Sequence, residues 1–263
     1  MELKLDSFAP IDLSIPLRFN GPQPNAWGVE PATSLPVEAG DLVGDTRLGG
    51  SVNFEQYTFI PHCSGTHTEC VGHITHDRIS IRECLKDVLI PSRLVTVEPE
   101  PGINSSYQGD RVITRKALAA LDPSGTGNPR SAARDPQNDA LILRTLPNGD
   151  WKQTAEYGEN NIPAYFAADA MDLIIALGVK HLLVDLPSID RIFDDGRLEN
   201  HRKFWNVEPG SHGTNPESRI NSTISELIYV PDSVKDGEYL LNLQIAPFES
   251  DCSPSRPILL RNS

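Results

Sequence analysis

The chain has 263 residues, with 23 basic side chains against 36 acidic ones and a formal net charge of −13. That balance repels phosphate backbones and anionic lipid, so neither nucleic acid nor a membrane is expected as a partner, and a small-molecule substrate is. A hydrophobic content of 38% suits a soluble globular chain, and the N-terminal MELKLDSFAPIDLSIPL lacks the apolar run of a signal peptide or membrane span, which makes the cytoplasm the expected location.

In chain order, IDLSIPL (11–17) is a short strand candidate, GPQPNAWGVEPATSLP an irregular loop, and NFEQYTFIPH (53–62) a stronger strand. SRLVTVEP (92–99) has the apolar content of a buried strand, and Thr114 caps a predicted short helix over RKALAAL that Asp-Pro ends. After a polar loop over 124–137, ALILRT (140–145) is a strand, AYFAADAMDLIIALGV carries helical periodicity closed by Gly178, and KHLLVDL (180–186) completes a βαβ unit. ISELIYVP (224–231) and GEYLLNLQIAPF (237–248) are strands joined by a turn at Asp236-Gly237. The pattern gives an α/β (mixed α+β) single domain, residues 1–263, around a central mixed sheet. Cys63, Cys70, Cys84 and Cys252 form no disulfide-scaffold spacing and are expected to be thiols.

The densest chemistry lies in His62–His73, HCSGTHTECVGH. In an extended strand, Cys63, Gly65, His67 and Glu69 share one face, while His62, Ser64 and Thr66 take the other. A thiolate, an imidazole and a carboxylate on one face suit zinc, or manganese or iron, with Gly65 leaving room and Thr66 supporting from behind. His73, beyond Val71-Gly72, is placed to move a proton. His62 and Cys70 are expected to be bystanders, Cys70 as a small buried hydrophobe; His76 and His212 are expected to be solvated and His181 packed. A nucleophilic Cys63 would need a helix N-terminus to activate it, and no helix is expected here.

The stretch Cys63-Ser-Gly65-Thr66-His67-Thr-Glu69-Cys-Val71-Gly-His73 resembles the motif His-x-Gly-Thr-His-x-Asp-x-Pro-x-His of the metal-dependent cyclase family, which includes bacterial kynurenine formamidase and isatin hydrolase. IDLSIPL, ALILRT, LGVKHLLVDLPSID (177–190), LENH (198–201) and ISEL (224–227) match in order. The resemblance implies a swivelling β/β/α fold, a divalent metal, Zn or Mn, at one or two per chain, and a homodimer or homotetramer. It places His67 and Glu69 on the first metal with Cys63 at the family's first histidine, His201 and Glu226 at the second, and His73 as acid/base. Alone, His201 and Glu226 would pass for surface residues. The implied reaction is hydrolysis of an amide, an arylformamide such as N-formylkynurenine or a cyclic amide or lactone, by metal-activated water; a catalytically degenerate binding protein and a polyketide-type cyclase are the alternatives. Trp27 is either a flat wall for an aromatic substrate or ordinary packing. Three departures stand out: Cys63 for histidine, Glu69 for aspartate, which moves the carboxylate by about 1.5 Å, and Val71 for proline.

Overall fold

Nine strands form the main sheet of the computed structural model, which describes residues 10–102, 109–121 and 139–261. They are β1 (Ile11–Asp12), β2 (His67–Glu69), β3 (Leu89–Val97), β4 (Ala140–Thr145), β5 (His181–Val184), β6 (Thr223–Glu226), β7 (Gly237–Asn242), β8 (Cys252–Pro254) and β9 (Ile258–Arg261). The order across the sheet is β1-β9-β7-β3-β4-β5-β6-β2-β8. Three helices bear on the site: α1 (Pro61–Ser64), α2 (Ala168–Ala176) and α3 (Glu199–Trp205).

The four central strands, β3 to β6, run parallel, and every residue of β4, β5 and β6 is buried, as the apolar runs of β4 and β5 require, while β6 buries the polar TISE. Alternation sorts their side chains into two layers. Leu141, Leu143, Leu182, Val184 and Ile224 pack beneath Met171 and Ile174 of α2 and Phe204 and Trp205 of α3. Ile142, Leu94 and Leu183 face the other way and meet Leu13, Val230, Leu241 and Leu259, so the sheet curls over a second core. Each fully buried Leu or Ile contributes about 1.5–3 kcal/mol, so both layers are strongly held.

Helix α2 forms because ADAMDLIIA is rich in good helix formers and buries Ala170, Met171, Leu173 and Ile174 as one stripe. It ends where Gly178 takes the left-handed conformation at φ 78°. With β4 and β5 it makes the expected βαβ unit.

Several expectations are corrected. IDLSIPL pairs only at Ile11–Asp12, with one further bridge from Ser14 to Ile228. The 53–62 strand shrinks to Glu55–Thr58 and pairs with Thr33–Pro36, so the supposed loop before it supplies a hairpin partner. After Thr114 the chain makes turns and one 3-10 segment, Ala119–Leu121, although Ala117 N–H does donate to Thr114 Oγ1 at 3.2 Å. β6 and β7 are not paired, since β6 lies between β5 and β2 and β7 between β3 and β9. The polar loop at 124–137 lies outside the described residues. Among the described residues no helix is long and apolar enough to cross a membrane. All four cysteines are free and buried.

Candidate metal centre

Proline at the first helical position turns the chain after Ile60 into the single helical turn α1, so Cys63 is not part of a strand. The same-face argument for Cys63 therefore fails, and both His62 and Cys63 line the cavity. Cys63 stands in a first helical turn after all, but burial and the charge of Glu226 push its thiol up to about 11, the opposite of an activated nucleophile.

At Gly65 the backbone is extended, and a Cβ there would approach Leu17 Cδ2 to 3.1 Å. Thr66 does not support a ligand directly. Its hydroxyl accepts from Ile15 N–H at 2.7 Å and donates to Leu227 C=O, tying IDLSIPL and the end of β6 to the start of β2. Alternation does hold within β2: Thr68 faces away and meets Ser225 Oγ at 2.7 Å, while His67 stands opposite Glu226 in register. A 3-10 turn over Val71–Ile74 then presents His73. Gly72 makes that turn possible, because a Cβ there would sit 2.2 Å from Ile79 C=O. Gly72→Ala is expected to cost about 1–3 kcal/mol, read as a lower melting temperature, and to displace His73.

The polar groups lock one another into place. His67 Nδ1 donates to Gly65 C=O at 3.0 Å, which turns Nε2 towards Glu226 Oε2, 3.4 Å away. His201, on α3, is gripped through Nδ1 by Asp190 Oδ2 at 2.6 Å, and its Nε2 lies 3.0 Å from Glu69 Oε1. Asp190 also accepts the backbone N–H groups of Asn200 and His201 at 2.8 and 3.1 Å, anchoring the first turn of α3. Glu226 Oε1 accepts from Ile189 N–H at 2.9 Å. The other oxygen of Glu69 lies 3.6 Å from His62 Nε2 and 3.8 Å from His73 Nδ1. Asp251 Oδ2 lies 3.1 Å from His62 Nε2 and 3.4 Å from His73 Nδ1.

Burial would suppress charge on these groups, but their neighbours win. For His201 burial opposes protonation, yet Asp190 and Glu69 raise it well above the ordinary imidazole range. His67 is raised the same way by Glu226 and Glu69. Glu69 is pushed up by burial but held at about 2 by His73, His201 and His62. The imidazoles of His62 and His73 beside it lower Asp251.

Imidazoles and carboxylates in this mixture suit a divalent cation such as Zn or Mn. Ligand atoms of His62, Glu69 and His73, and of His67, Glu69 and Glu226, lie within 4.8 Å of one another in each group. His62 Nε2, His67 Nε2 and Glu69 Oε2 are buried without a hydrogen-bond partner, the condition a cation would relieve. Asp190→Asn is expected to loosen cation binding about 10–100-fold, measured by titration calorimetry.

The cluster opens into a cavity of about 600 Å³ whose wall includes Trp27, Ile192, Phe193 and Leu198. Trp27 has a positive φ of 61°, and its Nε1 donates to Ile192 C=O at 2.8 Å, so its ring is fixed in the wall. The structure thus brings His67, Glu69, His73, His201, Glu226, Cys63 and Trp27 to one place. It adds Asp190 and Asp251, which no local sequence signal marks, and His62, which strand alternation had pointed away. His181 is packed against Thr223 and Asp87, His76 and His212 are exposed together, and Cys70 is buried with Ile81 and Cys84.

The Cyclase family model matches residues 11–191. Kynurenine formamidase of Bacillus cereus is 26% identical over 212 residues, covering 80% of this chain and 81% of its own length. The Bacillus anthracis kynurenine formamidase is 23% identical over 221 residues, 83% of this chain and 85% of its own. Isatin hydrolase A from Ralstonia solanacearum shares the fold, with a TM-score of 0.63 at 14% identity over 97% of this chain and 92% of that one. With most of its length matched by the family model, the chain belongs to the cyclase family.

Proposed function

We propose that the protein is a metal-dependent hydrolase that adds water across an amide bond of an aromatic small molecule, an arylformamide or a cyclic amide. The observation that carries this is the buried cluster of histidines and carboxylates, with unpartnered atoms, at the floor of a cavity that Trp27 walls. The names of its relatives, kynurenine formamidase and isatin hydrolase, support the substrate class.

When bound, a Zn or Mn ion supplies a Lewis acid and lowers the pKa of water towards about 7. The chain's own part is to hold it through His67, Glu69, His201 and Glu226, with Gly65 C=O and Asp190 fixing the two imidazoles so that each aims Nε2 at the centre. His73 sits at the cavity edge, partly exposed, and carries the proton to the leaving nitrogen or oxygen. Ile192, Phe193 and Leu198 shield the site from water, and the fixed Trp27 ring gives an aromatic substrate a plane to lie against.

The test is product mass after incubation of the metal-loaded protein with an arylformamide, a cyclic amide and a lactone. Hydrolysis adds the mass of one water to the products. A ring-closed product of a polyketide-like substrate would mark a cyclase instead, and cation binding with no turnover would mark a binding protein. His73→Ala is expected to lower turnover about 10²–10⁴-fold.

A further inference from the structure

Cys63 occupies the position where the family motif has its first histidine, yet a second imidazole lies one residue earlier. Because α1 is a helical turn, residues 62 and 63 both reach the cavity. Among the described residues only five buried side-chain polar atoms lack a hydrogen-bond partner, and three of them are His62 Nε2, His67 Nε2 and Glu69 Oε2. His67 and Glu69 are wholly buried, His62 keeps a quarter of its side chain exposed, and the rings of His62 and His67 stand 5.5 Å apart. Cys63 Sγ joins neither of the two groups of closely spaced ligand atoms, whereas His62 joins one, with Glu69 and His73, and His67 joins the other, with Glu69 and Glu226.

We propose that His62, and not Cys63, supplies the imidazole at this corner of the centre, so that a divalent cation is held by His62 and His67 together with Glu69, the carboxylate common to both groups. This rests on the metal-dependent reading above. Two imidazole nitrogens and one carboxylate oxygen, with open positions left over, suit Zn, Mn or Fe without any sulfur donor. His73 is the neighbouring imidazole, and the two rings share Asp251 Oδ2, which lies 3.1 Å from His62 Nε2 and 3.4 Å from His73 Nδ1. In this assignment His62 binds the cation, and His73, at the motif position of the acid/base, moves a proton. Glu69 links this seat to the second one, since its Oε1 faces His201 and its Oε2 faces His62.

The experiment is a cobalt(II) titration of the full chain and of His62→Ala and Cys63→Ser, followed by absorption and by metal content after gel filtration. A cobalt–thiolate bond gives a near-ultraviolet charge-transfer band that imidazole and carboxylate do not. We expect no such band in the wild type, an unaltered spectrum and affinity in Cys63→Ser, and cobalt affinity weakened by more than about 100-fold in His62→Ala, beyond the loss from an outer-sphere partner. A thiolate band that disappears in Cys63→Ser, with His62→Ala binding normally, would overturn the assignment. Should His62→Ala fail to fold, the wild-type and Cys63→Ser spectra still decide between sulfur and nitrogen. A wild type that takes up no cobalt would overturn the centre and this assignment together, whereas cobalt held through His62 without hydrolysis of any acyl substrate would sink the hydrolase reading alone.

Discussion

Glu69→Gln is expected to weaken cation binding by more than about 100-fold and to take turnover down with it. Glu69 is 1% exposed, and its two oxygens face different partners, His201 on one side and His62 and His73 on the other. The amide offers only one oxygen, and its NH₂ would face imidazoles that need an anion. Because burial raises the Glu69 carboxyl but the surrounding histidines hold it at about 2, the carboxylate is ionised across the working pH range. Its contribution to stability is therefore present above the ordinary glutamate range and is lost only as pH falls towards about 2. The defect in Glu69→Gln should accordingly appear at every pH from mildly acidic to alkaline in calorimetric titrations. Glu69→Asp, which restores the family's residue and retracts the carboxylate by about 1.5 Å, should keep part of the binding. Equal loss in both variants would mean that the site requires the full reach of Glu69 as well as its charge.

The largest expected effect on stability comes from Lys152, away from the centre. Its ammonium lies 2.6 Å from Asp185 Oδ2 and donates to Thr145 C=O and Oγ1, and both members of the pair are almost wholly buried. Asp185 also accepts from Thr145 N–H and Oγ1, so the pair bolts the ends of β4 and β5 together. Lys152→Met leaves a buried carboxyl without its cation, at a cost of about 3–5 kcal/mol, or roughly 10 °C in melting temperature for a chain of this size. Burial already raises the Asp185 pKa in spite of Lys152. A buried carboxyl with a raised pKa binds more protons folded than unfolded, so stability falls as pH rises. The deficit in Lys152→Met should therefore be smallest in acid and grow towards neutral pH, as thermal melts across that range would show.

What could be read from the chain divides along physical lines. ALILRT matched β4 residue for residue, and the AYFAADAMDLIIALGV periodicity gave α2 with its glycine stop, because apolar runs and a glycine cap are local signals, although Tyr165–Phe166 at its start pairs as a strand with Val112 and Ile113. His67 and Glu69 share a face as alternation requires, but alternation failed at Cys63 because Pro61 starts a helical turn that carries residue 62 inward with residue 63. His201 and Glu226 were visible only through the family motif, since LENH and ISEL look polar and ordinary until α3 and β6 bring them to Glu69. Asp190 and Asp251 were missed for a different reason: Asp251 meets His73 across 178 positions of sequence, and no spacing rule reaches that far. Lys152, in DWKQT, has the look of a solvated side chain and is instead the cation of a buried pair.

The measurement that bears most directly on the account is hydrolysis of an arylformamide before and after removal of bound metal with a chelator, with metal content determined on the same samples. Activity and metal should be lost together, and adding back Zn or Mn should restore both. Full activity in protein stripped of metal would contradict the account.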